Sequence, residues 1–429
     1  MAETTTITLP DIEQFKGNAL YWANHFKVVC LLDNSHYPGD AYHSKDWILA
    51  IDAIDEMVGG KNAFEELRVF HAKNTSILFG FFGYDLKNQN EKLQSNNFDG
   101  LQFPDCYFFR PRYVLEIKGD KLTVNRNYPE TFELVEHIGK IHKTQDARHK
   151  KQDLTRRTSR ERYLDNVKSI QQQIHAGDFY EMNYCVEFYK EHAHLHPAET
   201  FLRLDNKAKA PFSCFFKYHD RYLLCASPER FLKKEGSKLI SQPVKGTVRK
   251  GDTPEENLRL QLQLRNDAKE RSENVMIVDL VRNDLSKSSK EGSVKVEELY
   301  GIYEFNAVNQ MISTVTSEIK DGIHFTEAIK NAFPMGSMTG APKTEVMKNI
   351  EKYEDFKRGL YSGSVGYITP AGDFDLNVVI RSIFYNAGDK YLSIRVGSAI
   401  TAESVPEREY DEVLLKAQSL VEVLNEQEQ

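Results

Sequence analysis

Four stretches of the chain repeat their apolar residues at the spacing of an amphipathic helix. The pattern predicts helices over 160–175 and 264–280, and two more that begin near Pro342 and at Pro406. The first carries apolar residues at i, i+4, i+7 and i+11, namely Tyr163, Val167, Ile170 and Ile174. On the last, the residues expected to be buried are Val413, Leu414, Ala417, Leu420 and Leu424.

Apolar and polar side chains alternate over 374–385, and this alternation predicts a strand. The sequence NAGD at 386–389 predicts a turn into a second strand over 391–396. Because strands and helices do not alternate regularly along the chain, the pattern indicates an α+β fold rather than a doubly wound sheet.

Composition narrows the class of protein. The chain has 429 residues, 40% of them hydrophobic, and a formal net charge of −7. The apolar content rules out intrinsic disorder, and the charge argues against nucleic acid or an anionic membrane as the main partner. The longest apolar runs, 28–32 and 77–82, are too short to span a bilayer. The N-terminus lacks a signal-peptide pattern and the five cysteines form no C-x-x-C pair, so we expect a cytoplasmic protein.

A basic segment with few apolar residues, 140–162, divides the chain. No aromatic residue is interleaved with its basic residues, so a solvated connector explains it better than a nucleic-acid patch. We therefore expect an N-terminal subregion over 1–150 and a second region over 160–424.

Two acidic pairs have the spacing of one helix face. Glu270 and Glu273 lie three apart in one predicted helix, and Glu409 and Glu412 repeat the spacing in the last. Four such carboxylates could hold Mg²⁺, which prefers oxygen ligands. Spacing alone favours an ordinary helix surface, with Glu412 paired to Lys416 one turn later.

Two further segments have a chemical and a structural explanation. The loop FPMGSMTGAPKTE at 333–345 runs into a helix, where free N–H groups could bind an anion, but it is not a Walker A loop and could equally be a structural turn. Lys245 follows a hydrophobic segment; burial there would lower its pKa and free its amine as a nucleophile, although most lysines are solvated.

Arg381 lies on the face of the predicted strand 374–385 opposite the apolar one. If that face lines a cleft, its guanidinium would bind a carboxylate in bidentate fashion. If the face is open to water, Arg381 has no special role.

Eight short motifs follow one another in the second region. They are AGDFYEMN (176–183), SPERF (227–231), PVKGT (243–247), ERSENVMIVDLVRNDL (270–285), FPMGSMTGAPK (333–343), RGLYSGSVGY (358–367), IRS (380–382) and EREYDEVLLKA (407–417). In this order they resemble the chorismate-utilising enzymes, most nearly the component I branch of aminodeoxychorismate synthase. The resemblance is strong over 160–424 and weaker before residue 150, where GFFGYDLKNQNEKL (80–93) carries it.

The resemblance implies a fold and a metal site. The fold is α+β, with two large antiparallel β-sheets packed face to face and helices outside, as in anthranilate synthase component I. The region 1–150 would contribute to this β-sandwich, and 160–424 would be the chorismate-binding catalytic core. By the same resemblance Glu273 and Glu412 would bind Mg²⁺, supported by Glu270 and Glu409.

The resemblance also implies catalytic and substrate-binding residues. Glu229 matches the general acid that protonates the departing 4-hydroxyl, for which it must be protonated near neutral pH. Lys245 matches a lysine that adds to carbon 2 of chorismate, so that ammonia can enter at carbon 4. The residues matched to substrate binding are Thr247, Tyr361, Arg381, Gly397, Ser398 and Lys416.

Three positions depart from the family pattern. Glu181 stands where glutamine is usual, and its carboxylate could attract ammonium or accept its proton. Gln310 stands where relatives have a histidine near the pyruvyl group, and Ala399 replaces the last glycine of a loop.

The resemblance implies Mg-dependent amination of chorismate with ammonia to 4-amino-4-deoxychorismate, for p-aminobenzoate and folate synthesis. A separate glutamine amidotransferase subunit would supply the ammonia. The alternatives are anthranilate synthase component I, which carries alanine at the position of Lys245, and a non-catalytic regulator that binds chorismate or an amino acid. LLDNS at 31–35 is faintly similar to a tryptophan-binding motif of relatives, and the end of a core strand explains it equally well.

Overall fold

The structure, a computed structural model, describes residues 4–35, 37–125, 131–141 and 151–426. Part of the predicted connector, residues 142–150, therefore lies outside the described residues. None of the helices in the described ranges has the length and apolar character needed to cross a membrane.

The described residues form twenty strands. In chain order they are β1 (Thr4–Thr8), β2 (Val28–Asp33), β3 (Trp47–Val58), β4 (Leu78–Phe82), β5 (Cys106–Lys118), β6 (Lys121–Asn125), β7 (Thr155–Arg156), β8 (Glu181–Lys190), β9 (Phe212–Tyr218), β10 (Arg221–Ser227), β11 (Arg230–Glu235), β12 (Lys238–Gln242), β13 (Val244–Arg249), β14 (Lys295–Glu304), β15 (Val308–Glu318), β16 (Gly340–Ala341), β17 (Ser364–Ile368), β18 (Phe374–Asn377), β19 (Ser382–Asn386) and β20 (Tyr391–Ile400).

Eleven α-helices accompany these strands within the described ranges. They are α1 (Ile12–Ala23), α2 (Ala63–Lys73), α3 (Lys87–Glu91), α4 (Thr131–Gly139), α5 (Arg160–Ala176), α6 (Pro197–Ala208), α7 (Pro254–Asn266), α8 (Ala268–Ser288), α9 (Phe325–Ala332), α10 (Lys343–Tyr353) and α11 (Pro406–Asn425).

The strands pair in two antiparallel rows that meet at β5. The first row runs β1-β6-β5-β3-β2-β9-β10-β19-β20-β8. The second runs β5-β4-β17-β18-β11-β12-β15, and β13 and β14 both pair with β15. Strands that precede residue 126 thus share both sheets with strands that follow residue 154.

The two rows pack face to face. One cluster of buried side chains draws on both rows, with Cys30 and Phe216 from the first and Phe82 and Leu376 from the second. The neighbouring residues of the first row, such as Val29, point to the opposite face and into a second cluster. Because successive side chains of a strand alternate between faces, burial of both faces explains why β2 is one continuous apolar run.

Helices cover the outer faces. Helices α5 and α11 pack on β20 and α6 packs on β10, whereas α8 packs on β13 and β15 of the second row. The fold is α+β, as the sequence predicts.

Most of the predicted elements are present. Helices α5, α10 and α11 lie where the apolar spacing predicts them, and β19 and β20 flank the predicted turn. On α11 the side chains of Val413, Ala417, Leu420 and Leu424 are buried, whereas Leu414 is partly buried.

The predicted helix over 264–280 is wrong in one respect, because the chain breaks at Asp267. This residue has an extended backbone, and its carboxylate accepts a hydrogen bond of 3.0 Å from the N–H of Glu270. It therefore caps a new helix, α8, which separates Glu270 and Glu273 from α7 and puts them in the first turns of α8.

The predicted continuous strand over 374–385 is also wrong. The chain leaves the second row at Asn377 and enters the first row at Ser382, so residues 378–381 cross from one sheet to the other. Arg381 has a left-handed backbone with φ of +52°, which ends the strand geometry. Arg381 therefore does not lie on a strand face as predicted; it lies in the crossing between the two sheets.

Candidate active site

One face of β8 presents three side chains to the site. Glu181, Asn183 and Cys185 are two residues apart, so they point the same way. Glu181 accepts a hydrogen bond from Lys245 Nζ at 2.8 Å, and Asn183 donates one of 2.9 Å to the carbonyl oxygen of Ser337. Cys185 Sγ lies 3.7 Å from the hydroxyl of Tyr361. This strand face therefore connects several of the predicted site residues.

Lys245, on β13, lies between carboxylates. Besides its bond to Glu181, its Nζ lies 3.9 Å from Oε2 of Glu273. Burial lowers the pKa of Lys245, but Glu181, Glu273 and Glu412 together outweigh burial and hold the pKa well above its usual value. The expected lowering of this pKa is therefore wrong. The three carboxylates that raise it come from distant parts of the sequence, so the residues around Lys245 do not reveal them.

The backbone at Lys245 is held against α8. Asn274 donates a hydrogen bond of 3.5 Å to the Lys245 carbonyl and accepts one of 2.6 Å from Ser313 Oγ. Gly246 has a φ of +99°, and a Cβ at this position would lie 3.0 Å from Oε2 of Glu270. A glycine is therefore needed where β13 approaches the acidic start of α8.

The two acidic pairs converge in the folded chain. Lys269 interacts electrostatically with all four of the carboxylates, which raise its pKa against the effect of burial. Its Nζ lies 3.7 Å from Oε1 of Glu273. The four carboxylates are those of Glu270, Glu273, Glu409 and Glu412.

The carboxylates differ in their surroundings. Burial raises the pKa of Glu273 to about 7, and it also raises the pKa of Glu270. Glu412 is also affected by burial, but Lys416, at 2.6 Å, makes its pKa lower than usual. Glu409 is buried and accepts a hydrogen bond of 2.8 Å from Ser404. The predicted pairing of Glu412 with Lys416 is present.

The carboxylate oxygens of this cluster are ligands of the type that a magnesium ion prefers. Among the residues that the structure describes, no three aspartate, glutamate, histidine or cysteine side chains are already grouped tightly enough to hold a metal. Magnesium, however, is usually bound by one or two carboxylates together with water and substrate oxygens. Glu273 and Glu412, from different helices, supply such oxygens, and burial of Glu273 together with neighbouring Glu181 and Glu270 favours an added positive charge.

Glu229 follows β10 and is 4% exposed. Its Oε1 accepts a hydrogen bond of 2.6 Å from Ser337 Oγ. Burial raises the pKa of Glu229 to about 7, although Ser337 and Lys245 act in the opposite direction. This value agrees with the expectation of a carboxyl group that is protonated near neutral pH, and burial is its cause.

The glycine-rich loop at 333–345 places Ser337 on Glu229. Lys343 forms an ion pair with Asp284 and donates a hydrogen bond of 2.6 Å to the carbonyl of Pro334, across the loop. Arg358 donates another of 2.6 Å to the carbonyl of Met338. Of the two explanations of the loop, these contacts support a structural turn.

Arg381 is partly buried, and within the described part of the chain no group is hydrogen-bonded to its guanidinium. Burial lowers its pKa, whereas Tyr361 and Glu412 raise it. Its charge therefore lies within reach of both the predicted substrate-binding tyrosine and the acidic cluster. Tyr361 is buried, and burial also raises its pKa.

The remaining predicted residues lie around β20 and β13. Lys416 donates a hydrogen bond of 2.9 Å to the carbonyl of Gly397, whose Cα lies so close to β8 that a Cβ would be 2.5 Å from Cys185 Sγ. The side chain of Ser398 points to the opposite face, 3.1 Å from the hydroxyl of Tyr163, so only its backbone faces Gly397's side of the strand. Thr247 is exposed on β13 and pairs with Gln310 of β15.

Sequence reasoning missed several residues of the site. They are Asn183, Cys185, Lys269, Asn274, Ser337 and Arg358. The alternation along β8, counted from Glu181, is a signal that could have found the first two.

The chain is similar to known proteins along most of its length. The family described as chorismate binding enzyme matches residues 21–422. Aminodeoxychorismate synthase, chloroplastic, of Arabidopsis thaliana is 40% identical over 264 residues, which are 61% of this chain and 28% of that protein. Aminodeoxychorismate synthase component 1 of Bacillus subtilis (strain 168) is 30% identical over 410 residues, 87% of this chain and 84% of that protein.

A solved structure has the same fold. Anthranilate synthase component I from Streptococcus pneumoniae TIGR4 superposes with a TM-score of 0.79 at 23% identity, over 87% of this chain and 91% of that one. The chain spans only 28% of the length of the Arabidopsis relative, so it corresponds to one part of that protein. Because the family match covers nearly the whole sequence, this chain belongs to the chorismate binding enzymes.

Proposed function

We propose that this chain aminates chorismate with ammonia to give 4-amino-4-deoxychorismate, on the route to p-aminobenzoate and folate. The position of Lys245 carries the proposal: its amine lies among Glu181, Glu273 and Glu412, and its charge also reaches Glu229. The relatives named aminodeoxychorismate synthase support the same reaction. All of these residues lie in 160–424, the proposed catalytic core.

Substrate binding would use Arg381, Tyr361 and Thr247, together with the backbone of β20. The guanidinium of Arg381, with the hydroxyl of Tyr361 nearby, would bind the side-chain carboxylate of chorismate. Thr247 would line the ring pocket. The backbone at Gly397 and Ser398, to which Lys416 is attached through a hydrogen bond, would lie along the substrate.

Two groups would carry out the substitution. Once its proton has passed to solvent, the nitrogen of Lys245 adds to carbon 2. Both ring double bonds then shift by one position, from C1=C2 and C5=C6 to C1=C6 and C4=C5, and the bond from carbon 4 to its hydroxyl breaks. Glu229 gives its proton to that hydroxyl, which leaves as water. Ammonia then adds to carbon 4, both double bonds shift back, and Lys245 leaves carbon 2 as the free amine; the new nitrogen gives up one proton, which restores Glu229.

Glu273 and Glu412 would hold Mg²⁺, with Glu270 and Glu409 supporting them. When bound, the ion supplies positive charge that holds the ring carboxylate, draws electron density from the ring and offsets the carboxylates around Lys245. The ammonia would come from a separate glutamine amidotransferase subunit, as the name component 1 of the Bacillus relative suggests.

The test is product analysis with purified chain, chorismate, Mg²⁺ and ammonium. We expect mass spectrometry and NMR to find nitrogen on carbon 4. Lys245→Ala should lose this product by on the order of 10³-fold or more. Lys245→Arg is the matched control for charge, because it keeps a cation but has no nucleophilic amine, and it should be equally inactive.

The alternatives predict other results. Nitrogen on carbon 2 with loss of pyruvate would identify anthranilate synthase component I, and chorismate binding without turnover would identify a regulator. Undiminished 4-amino product from Lys245→Ala would refute the role of the lysine.

A further inference from the structure

Glu181 has one oxygen in use and one without a partner. Its Oε1 accepts the hydrogen bond from Lys245 Nζ at 2.8 Å. Its Oε2 is buried and finds no hydrogen-bond donor within the part of the chain that the structure describes. The whole side chain is only 1% exposed. A buried carboxylate oxygen without a donor is unfavourable, so this position calls for a ligand that donates a hydrogen bond.

The chemistry around Oε2 of Glu181 limits which ligands could bind there. An ionised carboxylate accepts hydrogen bonds and donates none. The same carboxylate already binds a nitrogen donor through its other oxygen, that of Lys245. The electrostatic surroundings also favour a donor or a cation over an anion, because Glu273 lies close to both Lys245 and Glu181.

We propose that ammonia binds at Oε2 of Glu181, beside Lys245, and donates an N–H hydrogen bond to that oxygen. The inference rests on the proposed function, for which ammonia is the second substrate. An acceptor at this place has a mechanistic consequence. Ammonia that donates an N–H hydrogen bond to Glu181 keeps its lone pair free to attack carbon. A donor at the same place would instead occupy the lone pair.

Glu181→Gln tests this directly. Lys245 will retain the amide oxygen as its acceptor, which turns the amide NH₂ towards the position of Oε2 and replaces an acceptor by a donor. We expect the KM for ammonium to rise by on the order of tenfold or more, since a hydrogen bond to a charged group is lost. The KM for chorismate and the half-saturating Mg²⁺ concentration should change less than twofold.

Two further variants complete the measurement. Asp178→Asn removes the same charge from a solvent-exposed side chain three residues earlier, and it should leave all three constants unchanged. Glu181→Asp keeps the charge with a shorter reach and should give an intermediate KM for ammonium. All rates are compared at constant ionic strength, and melting temperatures establish that the variants are folded.

An unchanged KM for ammonium in both Glu181 variants would overturn the inference. So would equal shifts in the ammonium KM and the Mg²⁺ half-saturation, because Glu181 would then belong to cation binding. If Glu181→Gln is inactive or unfolded, Glu181→Asp decides by the same comparison. Failure of the unmodified chain to aminate chorismate would overturn the proposed function, and the inference with it.

Discussion

Ser337 donates a hydrogen bond of 2.6 Å to Oε1 of Glu229, from a loop that is itself held by Lys343 and Arg358. This bond favours the ionised carboxylate, whereas burial favours the protonated one and prevails. Ser337 therefore sets how far the pKa of Glu229 rises.

Ser337→Ala should raise the pKa of Glu229 above its value of about 7. A general acid acts in its protonated form, so the rate falls as pH rises through this pKa. The alkaline limb of the pH profile of kcat should therefore move to higher pH. Ser286→Ala, at an exposed position on α8, is the control and should leave the limb in place. A limb that does not move, or moves to lower pH, would contradict this role of Ser337.

Glu229→Gln should increase stability in alkaline solution while removing activity. The pKa of Glu229 rises from 4.5 to about 7 on folding, so below pH 4.5 the group is protonated in both states and has no effect. Between pH 4.5 and about 7 the free energy of unfolding falls, because Glu229 ionises in the unfolded chain but stays protonated in the folded one. At pH 8 this loss of stability amounts to about 3 kcal/mol. Urea unfolding should show the variant more stable than the unmodified chain by up to this amount at pH 8, and by much less at pH 5. An equal difference at both pH values would refute the assignment.

The sequence predicts local elements of this fold better than it predicts how they meet. Helix α5 follows from apolar spacing, which is local. In the structure Ser159 caps this helix by accepting a hydrogen bond of 3.2 Å from the N–H of Arg162. The crossing at 378–381 could not be predicted in this way. It depends on Asn377 pairing in one sheet and Ser382 pairing in the other, with strands far away in the sequence.

The same division holds for the site. The spacing of Glu270 and Glu273 indicates that they share a helix face, but only the folded chain brings that face to α11. The pKa of Lys245 was predicted in the wrong direction because its partners, Glu181 and Glu273, are distant in sequence. Motif resemblance supplied candidate residues for the site, whereas their pKa shifts depend on how the folded chain packs around them.

Arg381→Lys should weaken chorismate binding. The guanidinium of Arg381 has two adjacent donors for a carboxylate, and lysine replaces them by a single point charge. We expect the KM for chorismate to rise about 10- to 100-fold, while the KM for ammonium stays within about twofold. Arg282→Lys, an exposed position on α8, is the control. Unchanged chorismate kinetics in Arg381→Lys would show that this arginine does not bind the substrate.

Gly397→Ala should disturb both stability and substrate binding. A Cβ at this position would lie 2.5 Å from Cys185 Sγ, 2.7 Å from Asn183 Oδ1 and 2.8 Å from the carbonyl oxygen of Tyr184. Overpacking of this kind costs about 1–3 kcal/mol, to be measured by urea unfolding. Gly139→Ala is the matched control, because nothing lies within 4 Å of its Cβ. Equal stability of the two variants would mean that β8 and β20 are less tightly packed than the structure has them.

Glu273→Gln and Glu412→Gln should each weaken magnesium binding, measured by isothermal titration calorimetry without substrate. Each variant removes one anionic oxygen donor, and we expect the dissociation constant to rise at least about tenfold. Glu407→Gln removes the same charge from an exposed position in the first turn of α11, so it separates a ligand from a general effect of charge. The two glutamates differ in their ion pairs: Glu273 is paired with Lys269 and Lys245, whereas Glu412 is paired with Lys416. A cation that binds equally well to all three variants must therefore be bound by other residues, and the convergence of α8 and α11 would then serve to hold these lysines.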